Sequence, residues 1–186
     1  MVKNQDVVDL LLEQHNEIKS LFTRVASARG KKKRELFEDL VRLLAVHETA
    51  EEEVVHPMAR KEIDGGDKIV DSRLEEESEA KQALAELYDL GVEHDDFDSR
   101  LVALANDVTE HATREENDEF PSLRRKLSAE KLRQMAGAVR TAEATAPTRP
   151  HPTAGESPVS NLLAGPPLAI FDRVQDAVRD WRKSNS

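Results

Sequence analysis

The stretch "HETAEEEVVHP", residues 47–57, places a histidine and a run of carboxylates directly after Leu40, Leu43 and Leu44, where a helix should be burying its apolar side. The arrangement returns as "HATREENDEFP" at residues 111–121, following Leu104 and Val108. Both copies read H-x-x-x-E-E-x-x-x-x-P. Residues four apart share one face of an α-helix, so His47 and Glu51 point at one spot, as do His111 and Glu115. Apolar residues seven, four and three positions before His47, and seven and three before His111, put those spots inside the fold.

The repeat extends beyond this motif. Laying "EQHNEIKSLF" (13–22) over "EEESEAKQAL" (75–84) pairs Glu13 with Glu75, Glu17 with Glu79, Lys19 with Lys81 and His15 with Glu77. Each half of the chain is then a helix with one polar ligand candidate, followed by a helix with a histidine and a glutamate. The apolar spacing predicts helices over about 6–27, 35–57, 68–90 and 98–120, with a short fifth helix over 129–144. Pro57 with "DGGD" (64–67), and "GVEHDDFD" (91–98), mark breaks between them. The expected fold is all-α, an antiparallel up-down four-helix bundle with approximate twofold symmetry. Residues 1–145 form this bundle, 146–167 a Pro-rich linker and 168–186 an amphipathic helix and tail with Phe171, Val174, Val178 and Trp181 on one stripe. That last helix is expected to dock on the bundle.

Composition narrows the chemistry. The 186 residues are 38% hydrophobic and 34% charged, with 4% aromatic and no cysteine, which removes disulfides, thiolate metal sites and thiol nucleophiles. A formal charge of −10 argues against nucleic acid as a partner. No apolar run approaches the ~20 residues of a membrane span, and no signal-peptide core opens the chain, so a cytoplasmic protein is expected.

Six polar side chains, His15, His47, Glu51, Glu77, His111 and Glu115, are thus directed to one interior level. A buried ionised carboxylate without a partner costs many kcal/mol, so three of them among three imidazoles call for cations. Mixed nitrogen and oxygen donors suit Fe, Mn or Zn. Two octahedral ions would keep open positions with so few protein ligands. Glu76 and Glu48 are alternatives in the donor set, and His56 is either an extra ligand or a hydrogen-bond partner. His94 and His151 are expected to be solvated.

His15, "HETAE" and "HATRE", over residues of about 6–125, resemble the HHE cation-binding branch of the hemerythrin family. The resemblance implies a non-haem di-iron centre, with Mn or Zn as substitutes, bridged by Glu51 and Glu115, that binds or reacts with dioxygen, nitric oxide or peroxide. Catalase-like decomposition of peroxide is one form this would take. The family's third helix normally carries histidine, whereas residues 68–90 contain none and Glu77 stands in its place. Added negative charge there favours ferric iron. A competing function is an iron-responsive regulator or iron-holding protein whose C-terminal helix follows metal occupancy. The chain is expected to be a monomer or weak homodimer.

Overall fold

A computed structural model describes residues 5–145 and 167–184. Helix α1 (Val7–Ser27) starts at a capping box in which the Asp6 carboxylate accepts the Asp9 N–H at 2.9 Å and the Asp9 carboxylate accepts the Asp6 N–H at 3.2 Å. After two residues the chain turns into α2 (Gly30–Ala50), whose start takes in the "KKKR" run expected to be a junction. A π-turn, Glu51–Val55, joins α2 directly to α3 (His56–Glu62). Helix α4 (Gly66–Leu90) and helix α5 (Phe97–Arg114) follow, and a second π-turn, Glu115–Glu119, joins α5 to α6 (Phe120–Lys126). Helices α7 (Ala129–Thr145) and α8 (Pro167–Ser184) complete the described order.

Every element among the described residues is a helix. Helix α1 packs against α2 and α5, α4 packs against α5 and α3, and short connections reverse the chain between them. Helix α7 covers α1 and α2, and α8 lies against α2, α7 and α4. Phe171, Val174 and Val178 are buried as their stripe predicted, while the side chain of Trp181 and the linker segment 146–166 lie outside the described residues. Among the described residues no helix is long and apolar enough to cross a membrane.

Pro57 and Pro121 do not end their helices, contrary to the sequence reading. Each sits in the first turn after a π-turn, where His56 donates its N–H to the Glu51 carbonyl and Phe120 donates to the Glu115 carbonyl, five residues back. A π-turn holds one residue more than an α-turn, and this widening accommodates a ring that would otherwise strike the carbonyl four residues earlier. The helices therefore run on to Glu62 and Lys126.

Gly65 takes φ +75°, and Gly66 opens α4 so close to α3 that a Cβ would collide with the Ala59 carbonyl. Gly66→Ala is expected to lower stability by about 1–3 kcal/mol, the range for an unrelieved overpacking contact, as a drop in the urea midpoint at constant m-value.

The apolar interior divides into two clusters. One contains Ile18, Phe22, Leu40, Leu44, Leu84, Phe97, Leu101 and the buried face of α8. The other contains Leu11, Ala50, Val55, Ala59, Val70, Phe120 and Leu123. Between them, at the level of the two π-turns, lies a layer of buried polar side chains.

Candidate metal centre

His15, His47, Glu51, Glu77, His111 and Glu115 meet in this layer, all buried. They form two sets of four donors, His15–His47–Glu51–Glu115 and Glu51–Glu77–His111–Glu115, each with its ligand atoms within 4.8 Å of one another. Glu51 and Glu115 belong to both sets. The His15 and His47 Nε2 atoms lie 3.1 Å apart, His15 Nε2 is 3.3 Å from Glu115, His47 Nε2 is 3.4 Å from Glu51 and His111 Nε2 is 3.2 Å from Glu115.

The outer nitrogens of the three histidines decide which tautomer each adopts. His15 Nδ1 is 2.8 Å from a Glu116 oxygen, His47 Nδ1 is 3.0 Å from the Gln14 amide oxygen and His111 Nδ1 is 2.8 Å from a Glu76 oxygen. An oxygen acceptor at Nδ1 holds a proton there, so that the neutral ring, the form that binds a cation, has its Nε2 lone pair facing inward. Two such lone pairs 3.1 Å apart, on His15 and His47, repel unless a cation or a proton stands between them. Both oxygens of Glu51 and of Glu115, one oxygen of Glu77 and the His111 Nε2 are buried without a hydrogen-bond partner. Orphaned donors and acceptors of this kind are rare in interiors, and a divalent cation would use all of them.

His56, which the sequence left between ligand and hydrogen-bond partner, has an acceptor at each ring nitrogen: Glu119 at 3.3 Å from Nδ1 and Glu77 at 2.6 Å from Nε2. It has no lone pair to offer inward. Burial opposes its charge, but Glu119 and Glu77 outweigh that and raise its pKa to about 10, so it is an imidazolium that holds Glu77 in place. Glu119 escaped the sequence reading because its counterpart in the first copy of the motif is Val55.

The surrounding contacts repeat across the internal twofold. Gln14 supports His47 as Glu76, one register unit away, supports His111. Lys19 reaches Glu116 at 3.3 Å, and Lys81 reaches Glu52. His15 stacks on Phe120 with centroids 5.6 Å apart, and Glu77 is bonded to His56, the residue matching Phe120. Thus Glu76 is an outer support that also receives Arg73 and Arg114, and Glu48 lies outside both four-donor sets, 3.8 Å from Lys81.

The symmetry is broken electrostatically. Burial, with Glu115 and Glu77 adding repulsion, raises the Glu51 pKa well above the ordinary carboxylate value. Burial acts on Glu115 too, but His111, His15 and His47 overcome it and hold that carboxyl well below the usual range. Burial lowers His111, but Glu115, Glu77 and Glu76 outweigh it and raise its pKa to about 9. Burial and then His15 depress His47. A cavity of ≈ 240 Å³ opens onto His15, His47, Glu77 and His111, with Ile18, Leu44, Ala80 and Val108 among its apolar walls.

Comparison with known proteins points the same way. The hemerythrin family, described as the Hemerythrin HHE cation binding domain, matches residues 6–123. A protein named DNA nickase from Nostoc is 30% identical over 135 residues, 72% of this chain, which spans 38% of that relative's length. An uncharacterized hemerythrin-like protein of Schizosaccharomyces pombe is 25% identical over 94% of this chain and 87% of its own. The crystal structure of a hemerythrin HHE cation binding domain-containing protein from Mycobacterium kansasii has the same fold, with a TM-score of 0.71 over 91% of this chain and 99% of that one at 16% identity.

Proposed function

We propose, for a chain that belongs to the hemerythrin HHE cation-binding family, that the buried layer holds two iron ions and presents them to a small oxidant. The observation that carries this reading is the pair of four-donor sets sharing Glu51 and Glu115, whose four buried oxygens have no hydrogen-bond partner. In it, Glu51 and Glu115 would be shared by the two ions, His15 and His47 would hold one, and Glu77 and His111 the other. Mn or Zn would fit the same donors. Bound iron would supply a change of oxidation state and open positions for an exogenous ligand.

The chain's own residues do the rest. Gln14, Glu116 and Glu76 orient the three imidazoles with their lone pairs inward. The His56 imidazolium fixes Glu77, and a carboxylate at that place would add negative charge favouring ferric over ferrous iron. The ≈ 240 Å³ cavity is several times the ~30 Å³ share of one water, ample for dioxygen, nitric oxide or peroxide. The activity in the cyanobacterial relative's name is not carried over, because this chain spans 38% of that protein and its formal charge of −10 opposes a phosphate backbone.

Anaerobic titration with ferrous iron tests the reading. The expected result is two ions per chain that survive desalting and develop near-ultraviolet oxo-to-iron absorption in air. Peroxide then separates two roles: sustained oxygen evolution is turnover, and a stoichiometric spectral change is binding. Iron that washes out with a weak chelator would overturn the reading.

A further inference from the structure

We infer that α8, which lies beyond the segment matched by the family, is a support of the metal centre, with Arg179 and Arg182 as positioning residues for Glu51. The inference rests on the proposed metal reading. Its starting point is Glu53, two residues past Glu51 in the first π-turn and buried at 7% exposure although it belongs to neither donor set. Arg179 Nε donates to a Glu53 carboxylate oxygen at 2.8 Å, and Arg182 Nη1 lies 3.4 Å from the other. Arg182 Nη1 also donates to the Glu53 backbone carbonyl at 2.9 Å.

That last bond has a cause in the sequence. Residue 57 is proline and has no N–H to give to the carbonyls one turn earlier, Glu52 and Glu53. Arg182 brings a donor to the second of these. In the other π-turn Pro121 leaves Glu116 and Asn117 in the same position, and Asn117 is exposed where water can serve it. The first turn is covered by α8 and needs a donor from the protein.

A second line of contact runs from α8 to the same turn. The Phe171 ring lies 5.1 Å from Lys81 Nζ, and Lys81 reaches Glu52 in the turn and approaches Glu48 at 3.8 Å. Helix α8 is anchored by Ile170, Phe171, Val174 and Val178 in the larger apolar cluster, so its arginines project from a fixed base. Glu51 is thereby located by a turn that two arginines of α8 hold from outside. Among the described residues no arginine does this for the turn of Glu115, where Lys19 reaches Glu116 and His56 reaches Glu119, and Glu115 itself contacts His111 and His15.

The test uses the full chain and Mn2+ alone. The double variant Arg179→Ala/Arg182→Ala is expected to bind Mn2+ about tenfold or more weakly, the range seen when a group that orients a metal ligand is removed. Amides of residues 52–56 and 58 should exchange faster in the variant, with the melting temperature of the metal-free chain unchanged. Asn117→Ala should leave Mn2+ affinity as it is, and Arg179→Lys/Arg182→Lys should restore part of the loss. Equal affinity in wild type and double variant would sink the positioning role, as would a loss that merely tracks a lower melting temperature of the metal-free chain. Failure of the wild-type chain to bind Mn2+ or Fe2+ is a separate result, and it would sink the metal reading itself.

Discussion

Glu51→Gln is expected to lose both metal ions and yet leave the metal-free chain at least as stable as wild type, whereas Glu115→Gln loses both ions and destabilises the metal-free chain. Glutamine offers one weak oxygen donor where glutamate offers two charged ones, so neither variant can serve both four-donor sets. The affinity lost should exceed the roughly 100-fold upper range for removing an outer support. Glu77→Gln belongs to one set only and should retain one ion, the one held by His15, His47, Glu51 and Glu115. The opposite signs in the metal-free chain come from the electrostatic asymmetry. Burial and Glu115 both oppose a charge on Glu51, and an amide, which carries none, removes that penalty. Glu115 is the ionised partner of His111 and His15, and its loss strands buried imidazoles. Breaking a buried pair in this way costs about 3–5 kcal/mol. Iron content by elemental analysis and urea unfolding of both metal-free variants decide the matter. Equal shifts in stability would contradict the assignment of charge to the two carboxylates.

The symmetric half of this centre was legible because the chain states it twice. The H-x-x-x-E motif follows an apolar stripe in each copy, and the register of 13–22 over 75–84 puts Glu77 opposite His15 in a helix that has no histidine. Gln14 and Glu76 were open to the same argument, since they occupy matched positions next to His15 and Glu77, but a residue that supports another gives no sign of its own in a pattern. The π-turns were not legible. Their defining bond, from His56 to Glu51 and from Phe120 to Glu115, needs no particular side chain, and the proline that follows each is an ordinary stop signal in sequence. Pro57 and Pro121 therefore pointed to helix ends where the helices continue. His56 was visible, but its role depends on Glu119, and the repeat offers only Val55 for comparison. The docking face of α8 follows from its spacing, while the reach of Arg179 and Arg182 to Glu53 depends on where the helix lands.

Removing metal should lower the melting temperature substantially, and the gap between loaded and metal-free chain should widen as pH rises from 6.5 to 9. Anything that binds the folded chain alone stabilises it by RT ln(1 + [L]/Kd), about 4 kcal/mol at a thousandfold excess over Kd. For a chain of this size that corresponds to roughly 8–16 °C. The pH dependence follows from which state holds more protons. His56 is raised to about 10 and His111 to about 9, so their stabilising contribution is complete below the unfolded value near 6.5 and is lost as pH climbs through the folded values. Glu51 and Glu48, both raised by burial, act in the same direction wherever the folded chain still keeps a proton that the unfolded chain has released above about 4.5. Glu115 is depressed and ionised in both states over this range, so it adds no slope, while His47 is depressed and its opposing contribution fades once the unfolded imidazole has titrated, about one unit above 6.5. Each proton held only by the folded form weakens it by about 1.4 kcal/mol per pH unit. Bound dications displace the protons on His111 and Glu51 and so remove part of this slope, which requires that metal uptake release protons and strengthen with pH. Melting curves at pH 6.5, 7.5 and 8.5 with and without Mn2+, alongside calorimetry in buffers of different ionisation enthalpy, measure both consequences. Uptake without proton release, or a gap that narrows with pH, would show that the donors are not the protonated groups at Glu51 and His111.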